Sequence, residues 1–165
     1  MPHPLGRLLA ALTGALLWAA PGLAAEWTHY DNARFGYGVD VPPGYAVTQQ
    51  ALNGDGVILK SPDGRATLRV YGGFNIEADF EASLASGMTR AEADGWALSY
   101  KRVTPSWASY SGTRNRQILY ARAIAVCGGT GYASFELVYP AAELAAFNPV
   151  VDRLVGSLRS QPGAC

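Results

Sequence analysis

The sequence has few of the side chains on which most enzymatic and metal chemistry depends. Its only histidines are His3 and His29, and its only cysteines are Cys127 and Cys165. Because His3 lies in a segment that we expect to be removed, one imidazole remains for a Ser-His-Asp triad or a metal ligand. Zinc needs more ligands than this, and no Cys-x-x-Cys motif supports thioredoxin-type redox chemistry. The sequence therefore predicts no cofactor and no metal.

Neither sign of charge is in excess. The chain has 13 Lys and Arg residues against 13 Asp and Glu residues, and the basic residues form no cluster or stripe. Nucleic acids and anionic membrane surfaces attract proteins through such basic patches. The charge pattern therefore argues against both as partners, while a hydrophobic content of 49% is enough to build a core.

Long hydrophobic runs are also scarce, and the one present lies at the N-terminus. After Arg7, residues 8–20 carry no charge, and Pro21 and Gly22 interrupt the run before several small residues. A basic, then apolar, then small-residue order is typical of a secretory signal peptide. The run is shorter than the roughly 18 residues that a membrane span needs.

We therefore predict a signal peptide over residues 1–25, cleaved near Ala24-Ala25, and a single domain over residues 26–165. This organisation implies a periplasmic or secreted protein without a stable membrane anchor, since no second long apolar run follows. The alternative for the N-terminal run is a buried helix, which the polar, strand-like sequence directly after it disfavours.

The pair Cys127 and Cys165 predicts one disulfide, as an even cysteine count does in an exported chain. The strand predicted from Tyr132 leads away from Cys127. The helical stretch 141–159 returns over a similar distance, so Cys165 can come back to Cys127. A reactive thiol pair and a metal site are the alternatives.

Two acidic, glycine-rich turns surround a short apolar run: NGDG at 53–56 and SPDG at 61–64. The alternating segments 57–61 and 66–71 predict a β-hairpin closed by the second turn. A calcium loop is the alternative interpretation. It is disfavoured because an EF-hand needs carboxylates at alternate positions and a closing Glu, whereas this chain continues with apolar residues.

Four apolar residues at helical spacing predict a helical face: Phe80, Leu84, Met88 and Ala91. A capping box from Thr89 to Glu92 divides this segment into two short helices. Residues 140–147 are Ala-rich and predict another helix. Asn148 and Pro149 predict the N-cap and the first position of a last one.

Between these helical segments lie four predicted strands, at 97–104, 107–112, 117–127 and 132–139. Loops this short require antiparallel neighbours, because a parallel crossover needs a dozen residues or more. The predicted fold is therefore α+β: a mostly antiparallel β-sheet, built as a meander, with helices packed on its faces.

An aromatic–Gly–aromatic strand that ends in proline, at 35–42, is followed by a hairpin, a helix, a meander and a closing amphipathic helix at 149–158. This order resembles the PsbP-like family, which includes a Ran-binding protein and exported bacterial proteins of unknown role. The turns are also similar to those of uncharacterised exported proteobacterial proteins. The resemblance implies an antiparallel sheet sandwiched by helices, and binding or assembly roles more than catalysis. It supplies no site residues.

Aromatic residues give the sequence its main candidate binding patch: Trp96, Tyr100, Trp107 and Tyr110. They fall in consecutive segments and could stack on a glycan or contact a partner protein. The alternative is that they pack between strands and against the helices as core. Glu136 and Asp40 are predicted to face solvent from mid-strand positions.

Three functions follow from these observations. The first is a non-enzymatic, exported binding or assembly-accessory protein whose partner is another periplasmic protein. The second is a periplasmic binder of a small ligand or glycan that uses the aromatic patch. The third and weakest is a hydrolase with an unrecognised site. No catalytic residues can be assigned.

Overall fold

The computed structural model describes residues 26–161. The chain forms ten strands and two α-helices within this range, in the order β1 (Thr28–Asn32), β2 (Tyr37–Val41), β3 (Ala46–Gln50), β4 (Gly56–Lys60), β5 (Thr67–Phe74), α1 (Phe80–Ala93), β6 (Ala97–Val103), β7 (Trp107–Arg114), β8 (Gln117–Val126), β9 (Gly131–Pro140), α2 (Leu144–Ser157) and β10 (Arg159–Ser160). The predicted signal peptide over residues 1–25 lies outside the described residues.

The strands form two antiparallel sheets. The larger has seven strands in the order β3-β4-β5-β9-β8-β7-β6, and the smaller has three in the order β1-β2-β10. The predicted hairpin is the β4–β5 pair, and the predicted meander runs from β6 to β9. The α+β prediction, a mostly antiparallel sheet with helices on its faces, is therefore confirmed. The sequence did not indicate that β5 pairs with β9 and joins the hairpin to the meander.

One face of the large sheet packs against α2 and the small sheet, and we call it the α2 face. Successive strand residues point to opposite faces, so alternate residues of β5 and β9 enter this core. Its fully buried side chains include Tyr37, Val39, Leu68, Phe135, Leu137 and Leu154. This core joins the two sheets and α2.

The opposite face of the large sheet packs against α1, and we call it the α1 face. The apolar side of α1 contributes Phe80, Leu84 and Met88, as its spacing predicted. These residues meet side chains at the β6–β7–β8 end of the sheet, among them Trp96, Ala108, Tyr110, Leu119, Ala121 and Ala123. Since α1 packs mainly against this end, the α1 face is left open over β4 and β5.

Helix α1 is continuous, so the predicted division at Thr89 is wrong. The helix begins after Asp79, whose Oδ1 accepts a hydrogen bond from the Ala82 N–H at 2.8 Å. Thr89 does not cap a second helix, because its hydroxyl donates to the Ala85 carbonyl at 3.2 Å. Gly95 follows the helix with a φ of 90°, a conformation that glycine adopts without strain.

The two helices predicted over residues 140–147 and from Pro149 onward form one helix, α2, so the predicted break at Asn148 is wrong. A 3₁₀ turn at Ala141–Glu143 leads into Leu144, so Asn148 and Pro149 lie within the helix and not at its start. Pro149 has no N–H to donate to the carbonyl four residues before it, which weakens the helix locally. Burial of Val151 and Leu154 in the core accounts for its continuation through this point.

None of the helices between residues 26 and 161 is long and apolar enough to cross a membrane.

Cys127 is partly buried against the core of the α2 face and starts a 3₁₀ turn, Cys127–Gly129, directly after β8. Cys165 lies outside the described residues. The disulfide between Cys127 and Cys165 therefore stays a prediction.

Candidate functional site: a cleft beside helix α1

The four aromatic residues predicted as one patch lie on two faces of the sheet. Trp96 and Tyr110 are buried under α1, with 8% and 7% of their surface exposed. Trp107 is an odd number of residues from Tyr110 on the same strand, so it points to the α2 face. Tyr100 pairs with Ser111, which shares the face of Trp107. Strand alternation therefore separates the patch into a buried pair and a more exposed pair.

The open part of the α1 face forms a cleft of about 930 Å³, which we call the α1 cleft. One side is α1, and the floor is made by β4, β5 and β9, which the helix does not cover. One exposed apolar side chain lines it, Ile76, which is 66% exposed. Exposed apolar side chains next to a concave surface are typical of binding sites.

Glu136 lies at the centre of the cleft floor. Its Oε1 accepts hydrogen bonds from the hydroxyls of Tyr71 at 2.9 Å and Tyr110 at 3.3 Å. Its Oε2 accepts from Arg69 Nη1 at 3.3 Å, and the Arg69 guanidinium also lies over the Tyr71 ring. Both carboxylate oxygens therefore have partners, and the side chain is held in one position with 20% of its surface exposed.

The tyrosines of the floor are held in their neutral form. Burial raises the pKa of Tyr71 well above its usual value, and the negative charge of Glu136 raises it further. The same two causes, in the same order, raise the pKa of Tyr110. Tyr132 packs edge-to-face on Tyr71 with the ring centroids 6.0 Å apart. The floor therefore presents neutral phenol groups around one carboxylate.

The helix side of the cleft combines small and charged residues. Ser83, Leu84, Gly87, Arg90, Ala91 and Asp94 form one stripe of α1 along the cleft. A Cβ atom built on Gly87 would meet nothing within 4 Å, so the space beside this glycine is open. At the far end, Arg114 lies 4.4 Å over the Trp96 ring and donates to the Asp94 carbonyl.

The NGDG turn forms part of the cleft rim and is closed by its own hydrogen bonds. Asn53 donates to Asp55 Oδ2 at 2.6 Å, and Arg34 forms an ion pair with Asp55 at 3.1 Å. The described residues hold no group of three or more His, Cys, Asp or Glu side chains that could bind a metal ion. The turn is thus held by its own hydrogen bonds and by an arginine.

His29 lies on β1, away from the α1 cleft, and both of its ring nitrogens contact carboxylates. Its Nδ1 is 2.9 Å from Asp40 and its Nε2 is 3.3 Å from Asp31. Asp40 was predicted to face solvent. Its side chain is 23% exposed and pairs at the surface with both His29 and Arg153, and the hydrogen bond from His29 is the main cause of its lowered pKa. Neither ring nitrogen of His29 is placed against a hydroxyl nucleophile.

Glu136 is the site residue that sequence reasoning missed, since it was predicted to face solvent. The signal was present in β9, where Phe135 and Leu137 enter the core and send Glu136 to the other face. What the sequence could not show is that β5 lies alongside. Direct pairing of Arg69 with Glu136 places the cation beside the carboxylate.

The architecture, a seven-stranded antiparallel sheet between helices, is a PsbP-like fold, as the resemblance in the sequence implied. The solution structure of the cyanobacterial PsbP from Synechocystis has a TM-score of 0.63 at 13% identity, covering 92% of this chain and 98% of that one. The Ran-binding protein Mog1p of Saccharomyces cerevisiae has a TM-score of 0.58 at 9% identity, covering 83% and 96%. No family model and no curated protein matches this sequence. Identities this low show the fold alone.

Proposed function

We propose that this protein is an exported, non-enzymatic binding or assembly-accessory protein, and that the α1 cleft receives a segment of a protein partner. The α1 cleft is the observation that carries the proposal. It combines an exposed apolar side chain, Ile76, with a fixed polar floor around Glu136. Apolar anchors surrounded by positioned polar groups are the usual composition of a protein interface.

Two further observations support a binding role over catalysis. Both oxygens of Glu136 accept hydrogen bonds from the protein, so this carboxylate is better placed to orient neighbours than to exchange protons with a substrate. One protein of the same fold, Mog1p, is a Ran-binding protein, so the fold can serve protein recognition. The partner of this chain would be another exported protein if the signal peptide is used.

A small ligand or glycan is the second candidate occupant. The cleft volume of about 930 Å³ lies within the range of ligand pockets, roughly 300–1,000 Å³. Tyr71 and Tyr132, which are partly exposed, supply the aromatic surfaces and hydroxyl groups that glycans use. The aromatic residues that support this candidate are therefore those of the α1 cleft and not the original set of four.

Native mass spectrometry of the protein, purified gently from the periplasm of its own host, tests the proposal. A second polypeptide bound in fixed ratio is the expected result. A small adduct alone would favour the second candidate, and a bare chain at every concentration would contradict both.

The same sample tests the export and disulfide predictions. A mature chain that begins next to Ala24 or Ala25 is the expected mass, and reductant should increase that mass by two hydrogen atoms as the Cys127–Cys165 bond opens. An uncleaved chain would contradict export, and an unchanged mass on reduction would contradict the disulfide.

A further inference from the structure

A second cluster, independent of the α1 cleft, lies on the α2 face at the β6–β7–β8 end of the sheet. Its centre is the half-buried Trp107. The guanidinium of Arg122 lies 4.1 Å from the Trp107 ring centroid, and that of Arg102 lies 5.3 Å from it. The strand register brings the two arginines together, because Ser109 of β7 pairs with Arg102 of β6 on one side and with Arg122 of β8 on the other.

Arg122 is only partly satisfied by the protein. Its Nη1 donates to Ser109 Oγ at 3.1 Å, while its Nε is shielded from solvent and has no hydrogen-bond partner. Burial is the main cause that lowers the pKa of Arg122; Tyr120 and Tyr100 act in the opposite direction, and the positive charge of Arg159 lowers it further. An arginine in this position is usually paired with a carboxylate, since burying an unpaired charge is unfavourable.

No carboxylate among the described residues performs that role. None of the eight ion pairs among residues 26–161 includes Arg102, Arg122 or Arg159. The Trp107 ring attracts both guanidinium groups but supplies no negative charge to pair with them. The chain as a whole carries no excess of basic residues, so the cluster does not result from a generally basic surface.

We infer that Arg122, together with Arg102 beside Trp107, forms an oxyanion-binding site that takes a phosphate or sulfate group, free or carried on a larger ligand. The planar fork of arginine matches the oxygens of such groups, and its hydrogen bonds to them are charge-assisted. The hydrogen bond from Arg122 Nη1 to Ser109 Oγ orients the Arg122 guanidinium. Arg102 is exposed and Trp107 and Arg122 are partly exposed, so a ligand can reach the cluster from solvent.

Titration with inorganic phosphate and with phenyl phosphate tests the site, with sodium chloride keeping the ionic strength constant. The Trp107 indole and Arg122 Nε–H signals are followed by NMR. We expect saturable shifts at both groups with at least one of the two probes. Binding of inorganic phosphate identifies a free ion, and binding of phenyl phosphate alone identifies a phosphate carried on a larger ligand.

The variant Arg122→Gln should weaken this binding by about tenfold or more, since a hydrogen bond to a charged group contributes roughly 1.5–3 kcal/mol. Arg116→Gln is the matched control: it removes an exposed arginine in the β7–β8 turn and should bind as the wild type does. Arg102→Gln replaces Arg122→Gln if that variant fails to fold, and the same loss is expected. Absence of saturable shifts with both probes, or equal binding by the folded variant, would overturn the inference.

Discussion

Raising the pH from 10 to 12 should lower the free energy of unfolding by about 5 kcal/mol through two buried tyrosines, Tyr37 and Tyr110. Tyr37 has 0% of its surface exposed and Tyr110 has 7%. Burial is the main cause that raises the pKa of each, followed by the charge of Tyr30 near Tyr37 and of Glu136 near Tyr110. Both are therefore neutral in the folded protein at a pH where they ionise in the unfolded chain.

The raised pKa values determine the direction in which the free energy of unfolding changes with pH. The contribution of Tyr37 and Tyr110 is fully present below the unfolded pKa of about 10 and is lost as the pH rises toward the folded values. Each tyrosine contributes a slope of about 1.4 kcal/mol per pH unit in that window. Urea unfolding at several values of pH from 8 to 12 measures the slope directly.

The variant Tyr110→Phe provides the control for this slope. It removes one ionisable group while Glu136 keeps its hydrogen bonds from Tyr71 and Arg69. Its slope above pH 10 should therefore be smaller by about 1.4 kcal/mol per pH unit. An identical slope in the variant and the wild type would show that Tyr110 ionises freely in the folded protein and would contradict its buried position.

Replacing Leu154 with alanine should lower the free energy of unfolding by about 2–5 kcal/mol. Leu154 has 0% of its surface exposed and belongs to the core that joins α2 to both sheets. The cost includes lost burial and the cavity that remains, since close-packed cores relax only partly.

Leu144→Ala is the matched control, because it removes the same side chain from the start of the same helix. Leu144 is 48% exposed, and its truncation should cost less than about 1 kcal/mol. Chemical denaturation of the two variants and the wild type gives the comparison. Equal losses at both positions would contradict the packing of α2 on the sheet.

Local patterns in the sequence predict the strands and their antiparallel order well. The meander and the β4–β5 hairpin follow from period-two alternation and from turn residues, which act over a few residues only. The predicted break between two helices at Asn148 was wrong because Asn148 and Pro149 are a good local start signal. Burial of Val151 and Leu154 stabilises the helix as a whole and outweighs that signal.

The candidate site was predicted less well, because it depends on which strands are neighbours. The aromatic patch was predicted because its residues are close in the sequence. Trp107 and Tyr110 lie on the same strand, but their side chains point to opposite faces of the sheet. The Arg69–Glu136 contact spans 67 positions and depends on the β5–β9 pairing. No periodicity within either strand encodes that pairing, so neither the cleft nor its carboxylate could be placed from the sequence.

The central claim, that the α1 cleft is the binding site, is tested most directly by filling the cleft. Gly87→Leu adds a side chain into open space on α1 and should raise helix stability by about 0.8 kcal/mol. Gly156→Leu is the matched control, because this glycine lies in α2 and a Cβ on it also meets nothing within 4 Å. Circular dichroism confirms that both variants fold.

The measurement is the fraction of each variant that carries its partner in native mass spectrometry, after the same gentle purification. We predict that Gly87→Leu loses most of the partner that the wild type carries, while Gly156→Leu retains it. Equal occupancy of the two folded variants would contradict binding in the α1 cleft.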